Sequence, residues 1–362
     1  MKIIIGGGGT GGHIYPALAL ARYASASNQN DEILFVGTAE GLESKIVPAA
    51  GFSLTTIPAR GFQRNFSKLG PSLKALGGGI REAGRILDDF KPHVVFGVGG
   101  YVSAPLMIAA LKRKVPTVIH EQNALPGLAN RRLAPFVRRV CISFRETEKR
   151  LPRRSRIVFT GNPRASEVAA LSRAEGCRYF DLDPGHKTLL IYGGSLGALR
   201  INEVTTEYLK LGLLPPRINL IYVTGDIYYE KVQSELGELP KQVRLYPYLD
   251  RMPEALAAAD IALTRSGATT LAELTALGVP ALLIPSPNVV NNHQYFNARL
   301  LSDAGAAVLI NESEFNSLRL QKELDKLFSN PEKLDKMRRS SRRLGVNDAV
   351  ERVYKCLQEV AS

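Results

Sequence analysis

Two stretches of this chain share one plan: a short β-branched run, a glycine cluster, then the start of a helix. The first runs from Lys2-Ile3-Ile4-Ile5 through Gly6-Gly7-Gly8-Gly9-Thr10-Gly11-Gly12-His13 into Ile14-Tyr15-Pro16-Ala17-Leu18. The second runs from Thr188-Leu189-Leu190-Ile191-Tyr192 through Gly193-Gly194-Ser195-Leu196-Gly197-Ala198 into Arg200-Ile201-Asn202. In each, a strand delivers a loop to a sheet edge and glycine lets backbone N–H groups approach an anion closely. The helix dipole turns its positive end to the same place. A chain built this way twice is expected to form two α/β domains, each with a phosphate cradle.

The remaining text supports that reading. Apolar runs at Glu32 to Val36, Val94 to Gly97, Thr117 to His120 and Arg139 to Ser143 alternate with helical segments in the first half, as in a buried parallel sheet. Leu220 to Thr224, Val243 to Tyr246, Asp260 to Thr264 and Ala281 to Ile284 do the same in the second. At 362 residues the chain is too long for one compact core. The expected division is residues 1–161 and 162–346, with 347–362 as a last helix. Doubly wound domains facing a central cleft would bind ligands at the carboxyl ends of their strands. Gly99-Gly100-Tyr101, His120-Glu121-Gln122-Asn123, the run from Thr264 to Thr270 and Asn291-Asn292-His293-Gln294 fall mostly at such ends.

Gly7-x-Gly9-x-x-Gly12 also satisfies the dinucleotide fingerprint. It fits poorly, because the second strand ends in Gly37-Thr38 rather than in the acid that would bind a ribose, and Glu40 is the nearest carboxylate. No Gly-Lys-Ser/Thr follows the glycines, which excludes a P-loop. Taken alone, the loop means phosphate or sugar-phosphate binding, or a tight turn without a ligand.

The net charge of +13 is one-sided. Residues 1–164 carry 24 Lys and Arg against 10 Asp and Glu, whereas the remainder is close to balance. Such a field suits a polyanionic partner, nucleic acid or an anionic membrane surface, although clusters such as Lys112-Arg113-Lys114 also read as solvated helix ends. The cysteines, Cys141, Cys177 and Cys356, are widely spaced without a Cys-x-x-Cys, so neither a disulfide framework nor a zinc site is expected and cytoplasmic usage is. No signal peptide is expected, and the longest apolar run, Tyr101 to Leu111, is too short to span a bilayer.

Gly8-Gly9-Thr10-Gly11-Gly12-His13, Gly99-Gly100-Tyr101-Val102-Ser103, His120-Glu121-Gln122-Asn123, Gly193-Gly194-Ser195-Leu196-Gly197-Ala198 and Arg265-Ser266-Gly267-Ala268 occur in an order and spacing that resembles the MurG family of peptidoglycan glycosyltransferases. The resemblance covers nearly the whole chain. It implies a GT-B fold, two Rossmann-like domains with the last helix, from about Asn347 to Val360, returning to the first. It also implies transfer of N-acetylglucosamine from UDP-N-acetylglucosamine to undecaprenyl-linked lipid I on the cytoplasmic face of the bacterial membrane. Contact with other wall-synthesis proteins would accompany that role.

On the same resemblance, Ser195 and its glycines would hold the donor diphosphate. Ala268-Thr269-Thr270-Leu271-Ala272 would line the nucleotide, Glu273 would bind the ribose, and the backbone near Leu249 would read uracil. Gln294, Asn123 and Arg164 would contact sugar and diphosphate, and Thr10, Gly11 and Gly12 would sit where donor and acceptor meet. Tyr101, His13 and His120 would touch the acceptor. The inverting attack needs a base on the acceptor hydroxyl. His13 is the first candidate, because an ordinary imidazole changes charge near neutral pH, with Glu121 and His120 as alternatives; His13 could instead only cap its helix or bind the acceptor diphosphate. Asp181-Leu182-Asp183 reads as a solvated turn rather than a metal site, so no metal or other cofactor is expected.

Leu69, Leu73, Leu76, Ile80 and Leu87 interleave with Lys68, Lys74, Arg81 and Arg85 as an interfacial helix would, or as a helix packed on the sheet would, with Gly77-Gly78-Gly79 expected to interrupt it. Two rivals remain. A UDP-N-acetylglucosamine 2-epimerase would share the architecture without a lipid acceptor. A basic nucleic-acid-binding protein would leave both glycine loops unexplained, and nucleic acid is not the expected partner.

Overall fold

Uninterrupted apolar runs fold as parallel strands buried on both faces, and these give the molecule its two sheets. The computed structural model describes residues 1–59 and 69–362. The chain divides into one unit of Met1–Arg164 with Asp348–Ser362 and a second of Ala165–Asn347.

The first unit contains β1 (Lys2–Gly6), β2 (Glu32–Gly37), β3 (Ser53–Thr56), β4 (Val94–Gly97), β5 (Thr117–Glu121), β6 (Arg139–Ile142) and β7 (Ile157–Phe159). They pair in the order β3-β2-β1-β4-β5-β6-β7, all parallel. Ile3, Ile4 and Ile5 are fully buried because helices cover both faces. On one face, the helix Gly11–Ser27 packs with the last helix, Ala349–Ala361, whose Val350, Val353, Cys356 and Leu357 join Ile3, Ile5, Ile14 and Leu18 in one core. On the other, Ala83, Ile86 and Leu87 pack with Leu106, Met107 and Ile119.

The helix Leu69–Phe90 runs unbroken through Gly77-Gly78-Gly79, contrary to the interruption expected. Glycine is needed at 79, where a Cβ would stand 2.5 Å from the Pro58 carbonyl oxygen. Leu87 is buried and Ile80 packs against the same core, so this part of the apolar stripe faces the sheet rather than an interface. Lys68, and the side chains of Leu69, Leu73 and Lys74, lie outside the described residues. Arg113, one of the basic cluster, makes a two-pronged ion pair with Asp88 at 2.7 and 2.8 Å.

The second unit contains β8 (Lys187–Tyr192), β9 (Ile218–Val223), β10 (Val243–Tyr246), β11 (Ile261–Thr264), β12 (Ala281–Leu283) and β13 (Ala307–Leu309). Their parallel order, β10-β9-β8-β11-β12-β13, repeats the first six strands of the other sheet. Its core gathers Leu189, Ile191, Tyr222, Leu263 and Leu282 with Phe315, Leu320 and Leu324. Among the described residues no helix is long and apolar enough to cross a membrane. All three cysteines are buried and free, and the fold brings Cys141 and Cys356, distant in sequence, to 3.9 Å between sulfurs.

Candidate active site

In the first sheet the strand order reverses between β1 and β4, so the chain leaves their carboxyl ends in opposite directions and opens a crevice there. The loop after β1 is Gly7 to Thr10 and that after β4 is Val98 to Val102. They lie against each other. Gly100 has φ 80°, and a Cβ there would come within 2.7 Å of the Gly8 carbonyl oxygen. The Tyr101 ring, 38% exposed, overlies Gly9.

His13 stands in the first turn of the helix Gly11–Ser27, half-buried, with Nδ1 3.0 Å from Thr10 Oγ1. Thr10 occupies the capping position, but its hydroxyl engages His13 instead of a backbone N–H. The other edge of the imidazole, Cδ2 and Nε2, faces Gly99, where a Cβ would stand 3.1 Å from both atoms. If Nδ1–H donates to Thr10, Nε2 is left as the basic nitrogen. The pair therefore has the geometry of a base with an orienting partner.

Glu43, which the motif analysis passed over, anchors this loop. Its carboxylate is 1% exposed; Oε2 accepts the Gly9 N–H at 2.9 Å, and Oε1 accepts the Thr38 N–H at 3.0 Å and the Thr38 hydroxyl at 2.7 Å. These bonds hold its pKa below the ordinary carboxylate value despite burial, which acts strongly in the opposite direction. Gly8, Gly37 and Gly41 make room for it: a Cβ at any of them would fall within 2.6 Å of the Glu43 side chain. A sequence signal existed in two glycines, Gly37 and Gly41, set closely before an acid just after β2.

Two expected site residues take other roles. Glu121 is buried, and both oxygens are occupied: Oε1 accepts from Asn123 N at 3.0 Å and Nδ2 at 3.4 Å, Oε2 from Gly127 N at 3.0 Å and Asn130 Nδ2 at 2.9 Å. Burial raises its pKa, but the carboxylate faces its own loop, so its geometry is that of a scaffold rather than of a base. His120 is fully buried with Nε2 2.8 Å from the Gly161 carbonyl oxygen, which makes Nε2–H the donor. Burial pushes its pKa down to about 4, so it is neutral and out of an acceptor's reach. Asn123 is half-buried beside Glu121, and its carbonyl accepts the Thr147 hydroxyl. Arg164 places its guanidinium 5.2 Å from the centre of the Tyr15 ring, on the helix that carries His13.

In the second unit the reversal falls between β8 and β11, and two helices begin there: Leu199–Lys210 and Ala268–Leu277. Ser195 is exposed in the loop after β8. At Gly197, φ 73°, a Cβ would meet the Thr224 carbonyl oxygen at 2.2 Å, so the loops after β8 and β9 touch through backbone. The helix Ala268–Leu277 carries Thr269, Thr270 and Ala272 half-exposed, Leu271 buried, and Glu273 7% exposed one turn in. Gln294 Oε1 accepts the Ser286 N–H at 2.9 Å, and its carbonyl accepts the Ser266 hydroxyl at 2.8 Å, tying the loops after β11 and β12 to the start of the helix His293–Asp303. Leu249 is buried in the turn after β10. Arg265 reaches the Ile284 carbonyl at 3.0 Å and pairs with Glu312. Asp183 accepts the Gly185 N–H at 2.8 Å and meets His186 at 3.4 Å, as a turn residue does.

Two doubly wound units, each with glycine loops and helix N-termini at its reversal point, are the architecture of the GT-B fold, and the family matches make the chain a glycosyltransferase of that class. Residues 3–142 match the glycosyltransferase family 28 N-terminal domain and residues 188–353 the family 28 C-terminal domain. The chain belongs to this family and, within it, to MurG. A protein of Halalkalibacterium halodurans named UDP-N-acetylglucosamine--N-acetylmuramyl-(pentapeptide) pyrophosphoryl-undecaprenol N-acetylglucosamine transferase is 45% identical over 100% of both chains. One of the same name from Bacillus pumilus is 44% identical over the same coverage. The crystal structure of Acinetobacter baumannii MurG superposes with a TM-score of 0.78 at 27% identity, covering 99% of each chain. A UDP-GlcNAc 2-epimerase from Neisseria meningitidis shares the fold, with a TM-score of 0.70 at 16% identity, covering 99% of this chain and all of that one.

Proposed function

We propose that this chain transfers N-acetylglucosamine from UDP-N-acetylglucosamine to the muramoyl 4-hydroxyl of undecaprenyl-linked lipid I, forming lipid II with inversion. The observation that carries this reading is full-length identity of 42–45% to relatives that bear the transferase name. The epimerase alternative has only a shared fold behind it.

The first unit takes the acceptor and the second the donor. His13 Nε2 accepts the proton of the muramoyl hydroxyl while Thr10 fixes the tautomer. The hydroxyl oxygen bonds to the anomeric carbon as the carbon–phosphate oxygen bond breaks, and the electron pair leaves with UDP. Ser195, the N-termini of Leu199–Lys210 and Ala268–Leu277, and the Arg164 guanidinium stabilise the departing charge. Glu273 holds the ribose, Leu249 lies beside uracil, and the amide nitrogens of Gln294 and Asn123 donate to the sugar and diphosphate. Tyr101 borders the acceptor, and Gly11 and Gly12 let it approach. Glu121 shapes the Asn123–Gly127 loop. Helix ends and arginine do the work a divalent ion would do, so turnover continues without one.

Membrane attachment fits a segment of the first unit where Leu128 and Phe136, 65% and 71% exposed, stand among exposed Arg131, Arg132 and Arg138. The deciding assay is UDP release from UDP-N-acetylglucosamine with a short-chain lipid I analogue in EDTA. Release that requires the acceptor, and falls at least about 100-fold in His13→Ala with donor binding intact, is the expected result. UDP released without acceptor, or N-acetylmannosamine formed, refutes the reading.

A further inference from the structure

The second sheet has a charged cavity at the opposite end of its strands from the glycine loops. It lies at the amino ends of β8 and β11, has a volume of about 490 Å³, and is lined by Arg173, Lys187, Arg338 and Arg342 around a single carboxylate, Asp260. Asp260 is buried, its side chain 3% exposed, and its needs are met. Oδ1 accepts from Arg338 at 3.0 Å and Lys187 at 3.3 Å; Oδ2 accepts from the Thr188 N–H at 3.0 Å and Arg173 at 3.2 Å. One negative charge thus faces four positive ones.

Arg342 makes the excess specific. No acceptor for its guanidinium is found among the described residues, yet its stem is held in place, because a Cβ at Gly278 would fall 2.2 Å from Arg342 Cγ. Gly278, φ 71°, ends the helix Ala268–Leu277. Arg338 and Arg342 are one turn apart on the helix Pro331–Leu344, a spacing at which like charges repel. A fold needing only to neutralise Asp260, which Arg173, Arg338 and Lys187 already reach, has no use for a third arginine there. No Phe, Tyr or Trp lines the cavity, so nothing stacks a nucleobase. Its volume suits a small molecule.

We propose that this cavity binds a compact, multiply charged phosphate anion, of the diphosphate or phosphorylated-sugar class, at a site separate from the donor loops. The bound anion adds charge-assisted bonds to Arg342 and to the spare donors of Arg338 and Lys187. The site shares the helix Ala268–Leu277 with the donor residues but none of their side chains.

The test is calorimetric titration of the intact protein with inorganic pyrophosphate, in EDTA and with UDP in excess to fill the donor loops. One saturable event per chain that survives UDP is expected. It should weaken at least about tenfold in Arg342→Gln, vanish in Arg342→Glu and recover in Arg342→Lys. Arg342 is the residue to change because the bonds to Asp260 stay intact, so the variants fold. Absence of a UDP-resistant event, or one untouched by Arg342→Glu, overturns the proposal. Arg342-dependent binding to phosphatidylglycerol vesicles without pyrophosphate binding would also overturn it, reassigning the cavity to a lipid headgroup.

Discussion

Replacing Glu43 by Gln keeps the volume of the side chain and removes one acceptor oxygen from an enclosed place that needs two. With its carbonyl turned to Thr38, the amide retains the bonds now at 3.0 and 2.7 Å but sets an NH2 group against the Gly9 N–H, donor facing donor. Turned the other way, it keeps Gly9 and loses both bonds to Thr38. The cheaper choice forfeits one charge-assisted bond and leaves a buried N–H without an acceptor, which costs about 2–3 kcal/mol. For a unit of this size that lowers the melting temperature by roughly 4–12 °C. Freed from its anchor, the Gly9 segment shifts His13 and Thr10, and a displacement of about 1 Å at the reacting groups costs on the order of 100-fold in turnover. Differential scanning calorimetry and the acceptor-dependent UDP assay read the two effects. There is also a pH signature. The folded pKa of Glu43 lies below its unfolded value, so its stabilisation is present above the unfolded pKa and is lost as pH falls through the folded one. The variant should lack that acid slope. A Glu43→Gln protein that melts within a degree of the parent with unchanged kcat would refute the argument.

Thr10→Val removes the partner of His13 Nδ1 while keeping the shape, and should lower kcat about 10–100-fold with little change in donor KM; an unchanged kcat would separate Thr10 from the base. Leu357→Ala, in the core that the last helix shares with Ile3 and Leu18, should destabilise the first unit by about 2–5 kcal/mol in urea titration. His120 stays neutral down to pH about 4 while the unfolded imidazole protonates near 6.5, so stability should fall by about 3 kcal/mol as pH drops through that interval and then level. His120→Gln should flatten that segment of the curve measured by denaturant unfolding.

The central strands were legible because burial on both faces writes them as unbroken apolar runs: Ile3-Ile4-Ile5, Leu189-Leu190-Ile191 and Val94-Val95-Phe96 admit little else. The edges were not. β3, Ser-Leu-Thr-Thr, is exposed or half-exposed throughout, and β7 and β13 are three residues each, so none leaves a pattern. The glycine loops and helix starts of the site could be read directly, since their backbone demands fall on residue type. What His120 and Glu121 do could not. A carboxylate enclosed by four donors and one facing a substrate are spelt alike, and only Gly127 and Asn130, which close around Glu121, tell them apart. The glycine triplet at 77–79 misled for a similar reason: close approach to Pro58 calls for a small residue as much as a break does.

The return of Asp348–Ser362 to the first unit makes the second unit an insertion in the first. During synthesis the residues from Met1 to Arg164 emerge long before Val353 and Leu357, at about 5–20 residues per second, so roughly 10–40 s pass with one flank of β1 and the helix Gly11–Ser27 uncovered. The second unit, continuous in the chain, can finish folding in that interval. The ribosome therefore releases the first unit last, although most of it is made first, and truncation at the carboxyl end strikes the amino-terminal core.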